Sequence, residues 1–198
     1  LIGLIIYLVI SSNESTQNDQ PFSEFAFADT ASIDKVIISN TLGDEITIQR
    51  RNESKKWKIN DTGSAASEEK INRILSTIHS WKVIQNIDEK QINGAIELLA
   101  VKHHKIEIFI KGKDQSTKTY YIGDANATMT GNLGLLKIEE KKSKTPYYVQ
   151  IPGFYGTIET RFFADFQNWR STEVIALNTR QIKSIELIPL PTLSARPQ

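Results

Sequence analysis

The hydrophobic period of this chain changes from two residues to about 3.6 and then back to two, and this change constrains the fold more than any other feature. Where apolar and polar residues alternate, the pattern is typical of β-strands with one buried face. Turn residues at 41–44 and 112–114 connect neighbouring segments as antiparallel hairpins. The predicted strands lie in segments 33–38, 46–49, 57–59, 106–111, 119–122, 135–138 and 147–149.

Two segments between these strands have the helical period. In the first, Ser67 is the predicted N-cap and is followed by two glutamates, which suit the helix dipole. In the second, Asp88 is the predicted N-cap and Gln91 occupies the capping-box position. The predicted apolar faces are Ile71, Ile74, Leu75 and Ile78 in the first helix and Ile92, Ala95, Ile96 and Leu99 in the second. Antiparallel hairpins and meanders with a few packed amphipathic helices predict an α+β fold.

Residues 1–10 are uncharged and almost entirely apolar. A helix of this length covers about half of the hydrocarbon core, so we interpret it as a partial N-terminal membrane anchor, the C-terminal half of a transmembrane helix. A cleaved signal peptide is the alternative. Residues 11–20 contain no apolar side chain, which predicts a flexible tether over 11–24.

The remainder divides into an α+β domain over 25–178 and a C-terminal part over 179–198. Segment 180–187 resembles segment 32–38 in the spacing of its apolar residues. Either 179–198 begins a truncated second repeat unit or it is a tail, because one strand-length match does not establish a repeat.

Charge and cysteine content exclude several classes of protein. Lys and Arg number 24, Asp and Glu number 23, and the net charge is +1. This balance does not provide the positive field that nucleic-acid binding requires, so no nucleic-acid partner is predicted. The sequence contains no cysteine, which excludes thiol nucleophiles, disulfides and Cys-ligated zinc.

Motifs for catalysis or cofactor binding are missing from the sequence. His103 and His104 are adjacent, and neighbouring strand residues point to opposite faces, which does not suit one metal ion. His79 ends the first predicted helix. Residues 131–134 form a Gly-x-x-Gly without the further residues of a nucleotide-binding loop, and no Gly-x-Ser-x-Gly occurs. The sequence therefore predicts no catalytic residue, no cofactor and no metal ligand.

Segment 147–170 combines turn residues with large aromatic residues and two arginines. Phe162, Phe166 and Trp169 have the spacing of one helical face, which predicts a short helix packed into the core. The same segment supports a functional hypothesis, because aromatic residues and arginine are enriched at interface hot spots. The residues of this predicted interaction patch are Phe154, Tyr155, Arg161, Trp169 and Arg170.

Short motifs in this order resemble a bacterial family catalogued as domain of unknown function 4340. They are DTASIDK at 29–35, WKIN at 57–60, YIG at 121–123, YVQIPGF at 148–154, RFF at 161–163 and WR at 169–170. The last three form the most specific series. The resemblance implies a membrane-anchored α+β protein of the bacterial envelope, with some relatives similar to neighbours of transporter components. It implies no catalytic residues.

Three hypotheses of function follow. The first is a non-catalytic envelope module, anchored in the inner membrane with its soluble domain on the periplasmic side, that binds a protein partner or a glycan or assists a transporter complex. The second is an enzyme whose site is assembled from scattered polar residues. The third is a structural spacer.

Overall fold

The computed structural model describes residues 24–50, 56–59, 63–173, 180 and 182–186. The predicted anchor, most of the predicted tether and most of segment 179–198 lie outside these ranges. Residues 182–186, part of the segment that resembles 32–38, are exposed and form no strand. None of the helices in the described ranges has the length and apolar content needed to cross a membrane.

One antiparallel sheet of ten strands dominates the described part of the chain. Its order is β4-β3-β2-β1-β6-β7-β8-β10-β5, and β9 pairs with β8 outside this path. The strands are β1 (Ile33–Asn40), β2 (Glu45–Arg50), β3 (Trp57–Ile59), β4 (Ser64–Ala65), β5 (Lys82–Asn86), β6 (His104–Ile110), β7 (Lys118–Ala125), β8 (Asn132–Ile138), β9 (Lys141–Lys142) and β10 (Tyr147–Gln150). Together with a few short helices, this sheet confirms the α+β class.

The first predicted helix is confirmed as α1 (Glu68–Ser80). Ile71, Ile74 and Ile78 are buried on its inner face. Ser67 is the N-cap residue, as predicted, although its side chain makes no capping hydrogen bond.

The second predicted helix forms, but its start was predicted incorrectly. Asp88 precedes a 3₁₀ turn (Glu89–Gln91), and α2 (Ile92–Val101) begins only after this turn. No capping-box bond forms, because the turn moves Gln91 from the predicted N3 position to the N-cap. Ile96 is 39% exposed, since it lies about 100° around the helix from the buried Ala95.

A cluster of aromatic rings fills the core on the sheet face that α1 covers. The ring of Phe25 lies 6.0–6.3 Å from the rings of Trp81, Tyr120 and Tyr147. Its backbone oxygen accepts hydrogen bonds from Trp81 Nε1 and from the Tyr120 hydroxyl, each at 2.8 Å. Burial raises the pKa of Tyr120, so its hydroxyl remains a donor. These contacts fix Phe25, near the first described residue, in the core.

A glycine in β8 allows Phe25 to approach the sheet. A Cβ atom at Gly134 would lie 3.0 Å from Phe25 Cε1 and 3.0 Å from Val149 Cγ2. Such contacts are shorter than ordinary van der Waals separations, so only glycine fits here without displacing its neighbours.

The opposite face of the sheet has a smaller core under α2. Ala95 and Leu99 pack with Ile87 and with Leu133 and Leu135 of β8. Since the two-residue period of β8 places Leu133 and Leu135 opposite Leu136, each face of this strand has its own helix.

The helix α1 connects the two border strands, because β4 precedes it and β5 follows it. Nine strands lie on the main path of the sheet. In a flat sheet, their borders would be about 38 Å apart at about 4.8 Å per strand. The 13 residues of α1 span only about 20 Å. The borders are thus joined by a helix much shorter than a flat sheet would be wide, and the buried residues of α1 share one core cluster with those of most strands.

The predicted helix containing Phe162, Phe166 and Trp169 is mostly absent, and this prediction was wrong in extent. Only α3 (Phe166–Trp169) is helical, while Phe162 follows a 3₁₀ turn (Glu159–Arg161). The Asp165 carboxylate accepts a hydrogen bond from Asn168 N, so the helix begins at Phe166, four residues after Phe162. The prediction of core packing is confirmed for Phe162 and Trp169, since both are fully buried.

Candidate functional site

The loop after β10 brings an aromatic ring and a guanidinium together. Gly153 and Gly156 have φ values of 77° and 127°, which residues with a side chain rarely adopt. Because both are glycines, the loop can turn at each of them. Phe154 N donates to Ile151 O at 3.0 Å in the first turn. The Arg161 guanidinium carbon lies 4.3 Å from the centre of the Phe154 ring, a cation–π contact.

A second contact holds the guanidinium on helix α1. Arg161 Nη1 donates to Thr77 Oγ1 at 2.8 Å, and this hydroxyl donates to Arg73 O at 2.8 Å. The guanidinium is therefore positioned by a ring on one side and by a buried hydroxyl on another. Preorganisation of this kind lowers the entropic cost of binding a partner.

Tyr155, the next residue of this loop, exposes its side chain to solvent. Its side chain is 92% exposed, next in sequence to the partly buried Phe154. We name Phe154, Tyr155 and Arg161 the Arg161 surface.

The structure separates the other two residues of the predicted patch from this contact. Trp169 is fully buried, and its Nε1 donates to Phe163 O at 2.7 Å, so its ring lies in the core. Arg170 is exposed and forms a β-bridge with Ala66. No hydrogen bond, ion pair or ring contact among the described residues joins Arg170 to Arg161.

The charge environment of Arg161 is unusual for an arginine. Burial lowers the pKa of Arg161, and the nearby Arg73 lowers it further. Arg73 itself is paired with Glu69, whose Oε1 lies 2.7 Å from Arg73 Nη2. The guanidinium of Arg161 still stays protonated, because its reference pKa is far above neutral.

Gln150 holds the loop in place, a role that the sequence patterns did not predict. Its Nε2 donates to Gly156 O at 2.8 Å, and its Oε1 accepts from Ile151 N at 2.9 Å. Gln150 is buried at the end of β10. A glutamine at the end of a predicted strand, just before Pro152 and Gly153, is the only sequence signal for this clamp.

A separate polar cluster lies where β8 meets the turn before Arg161. Asn132 is fully buried. Its Nδ2 donates to Gly123 O at 2.9 Å and to Glu159 Oε2, while its Oδ1 accepts from Ile158 N at 2.9 Å. One amide donor and the amide oxygen of Asn132 thus attach this turn to the sheet, while the other donor bonds to β7.

His104 lies close to that cluster. Burial lowers the pKa of His104, opposed by the charge of Glu159, so the neutral imidazole is favoured. His104 Nδ1 is buried without a hydrogen-bond partner among the described residues.

The other two histidines have different neighbours. His103 Nδ1 lies 2.6 Å from Leu99 O, and His79 Nδ1 lies 3.2 Å from Ala28 O. Within the described ranges, no group of three His, Asp or Glu side chains is arranged to hold a metal ion.

Comparisons with known proteins add no assignment. No family model, no curated protein and no solved structure matches this chain.

Proposed function

We propose that this protein is a membrane-anchored accessory protein of the bacterial cell envelope, whose soluble domain lies on the periplasmic side and binds a protein partner, such as a transporter component, through the Arg161 surface. The observation that carries the proposal is a largely exposed tyrosine that directly follows Phe154, whose ring packs on a guanidinium fixed by two contacts. Tyrosine and arginine are enriched among the residues that dominate binding energy at interfaces.

The exposure of Tyr155 favours a role of its side chain in binding over a role in stabilising the fold. An aromatic side chain that is 92% exposed contributes little to the core, yet it offers a large contact area with only two rotatable bonds to immobilise. The hydrogen bonds from Phe154 N to Ile151 O and from Gln150 Nε2 to Gly156 O fix the backbone that presents it.

Site-specific photocrosslinking tests the partner. A photoreactive phenylalanine analogue replaces Tyr155 in the full chain, which is expressed in its native host. Crosslinked products are then identified by mass spectrometry. The matched control carries the same analogue at Leu42, which is 87% exposed in the turn between β1 and β2. We expect one envelope protein to be crosslinked from position 155 and not from position 42. Identical products from both positions would overturn the proposal.

Membrane extraction tests the anchor separately. Residues 1–10 supply the apolar segment, so alkaline carbonate should leave the full chain in the membrane pellet. A variant with Leu4→Lys and Ile6→Lys should move to the soluble fraction, because charges in this segment oppose insertion. Protease added to intact spheroplasts should digest the domain. Extraction of both proteins to the same extent contradicts the anchor, and protection from protease contradicts the periplasmic location.

A further inference from the structure

The guanidinium of Arg161 has hydrogen-bonding capacity that the described structure leaves unused. A guanidinium carries five N–H donors. Among the described residues, its hydrogen bond goes to Thr77 Oγ1, and its contact with Phe154 is through the face of the ring. Four donors therefore remain for a ligand.

Arg161 also has no acidic partner within the described ranges. The ion pairs found there join other residues. The neighbouring cation, Arg73, already has Glu69 as its partner. A partly buried cation beside another cation is electrostatically unfavourable, and burial and Arg73 both lower the pKa of Arg161 accordingly. An anion at this position would remove that cost.

We propose that Arg161 binds the carboxylate of an acidic side chain in a peptide segment of the partner. This inference rests on the proposed function and specifies the chemistry of the partner. The planar guanidinium matches a carboxylate in a bidentate arrangement, and its two existing contacts restrict its orientation. Tyr155 directly follows Phe154, the residue that contacts the guanidinium, and its exposed ring offers an apolar contact that a peptide can use and a small anion cannot.

Nuclear magnetic resonance of arginine side chains provides the test. The full chain, labelled with ¹⁵N-arginine in a zwitterionic detergent, is titrated with acetyl-Gly-Glu-Gly-amide, with acetyl-Gly-Gln-Gly-amide and with inorganic phosphate. We expect the Glu peptide to shift the Arg161 Nε–H resonance saturably, with an affinity about tenfold higher than that of the Gln peptide.

Three variants separate charge, geometry and location, with binding followed by isothermal titration calorimetry in the parent and in every variant, because two of the variants lack the Arg161 resonance. Arg161→Gln should abolish the preference for the Glu peptide, and Arg161→Lys, which keeps the charge without the planar fork, should reduce the affinity about tenfold. Arg170→Gln is the matched control, because it removes an exposed arginine outside the Arg161 surface, and it should bind as the parent does. Equal binding of both peptides, tighter binding of phosphate, or an equal loss in Arg170→Gln would each overturn the inference.

The outcomes also separate this inference from the proposed function. If the Glu peptide binds but photocrosslinking from position 155 is unspecific, the carboxylate site stands and the protein partner is rejected. If photocrosslinking identifies a partner while the Glu peptide fails to bind, the partner does not use an acid at Arg161, and this inference is rejected alone.

Discussion

Replacing Phe25 and Gly134 separately and together tests whether the start of the domain is fixed against β8. Phe25→Ala removes a ring that is 1% exposed and touches three other rings, so it should cost about 3–5 kcal/mol of unfolding free energy. Gly134→Ala places a methyl group 3.0 Å from that ring and should cost about 1–3 kcal/mol.

The two costs should not add. Without the ring, the methyl group at position 134 keeps only one of its two close contacts, that with Val149 Cγ2 at 3.0 Å, and it partly fills the vacated space. Gly134→Ala should therefore cost at least about 1 kcal/mol less in the Phe25→Ala background than in the parent.

Urea unfolding followed by tryptophan fluorescence and circular dichroism measures all four proteins. Phe25→Leu replaces Phe25→Ala in the cycle if the larger truncation leaves too little folded protein. Costs that add to within about 0.5 kcal/mol would refute the reasoning, because they would mean that Phe25 does not contact residue 134.

Three further substitutions test other parts of the fold, each by urea unfolding. Gly94→Ala should stabilise the domain by up to about 1 kcal/mol, because a Cβ there meets nothing within 4 Å in α2, and a destabilised variant would contradict this placement. Tyr120→Phe should cost about 0.5–1.5 kcal/mol, since one of two donors to Phe25 O is lost, and an unchanged midpoint would argue against that bond. Burial lowers the pKa of His104 in the folded protein below 6.5, so the unfolded chain binds the proton more readily. The stability that neutral His104 confers is therefore lost as the pH falls through 6.5 towards the folded pKa. His104→Gln should reduce the loss of stability between about pH 7.5 and 5.5, and an identical pH dependence in parent and variant would show that His104 titrates normally.

Local patterns predicted the central strands and α1 because each of these elements buries one face. Their apolar side chains therefore recur every two residues in the strands and about every 3.6 residues in the helix. Ile106 and Ile108, for example, lie on the same face of β6, and both are fully buried. The border strand β5 is not among the strands predicted from the sequence, since four of its five residues are exposed and its pairing with β10 is a tertiary contact. The two-residue strands β4 and β9 are too short for any periodicity to appear.

The Arg161 surface was predicted in composition but not in arrangement. Aromatic residues beside arginines marked Phe154, Tyr155 and Arg161, whereas the same reasoning included Trp169, which the structure buries. Burial of one aromatic residue and exposure of another depends on the end of α3 and on the loop that Gln150 clamps. The contact with Thr77 requires the packing of α1 on the sheet, which no local pattern encodes.

The hydrogen bonds to Phe25 O have a consequence for how the domain is made. They come from side chains 56 and 95 residues further along the chain. Phe25 therefore cannot take its final position until Tyr120 has been synthesised. Strand β5 likewise cannot pair until β10 has been synthesised. Contacts of such high sequence separation make folding slow. We therefore expect the native packing of the core to form in one late, concerted step, after the chain has been synthesised through β10.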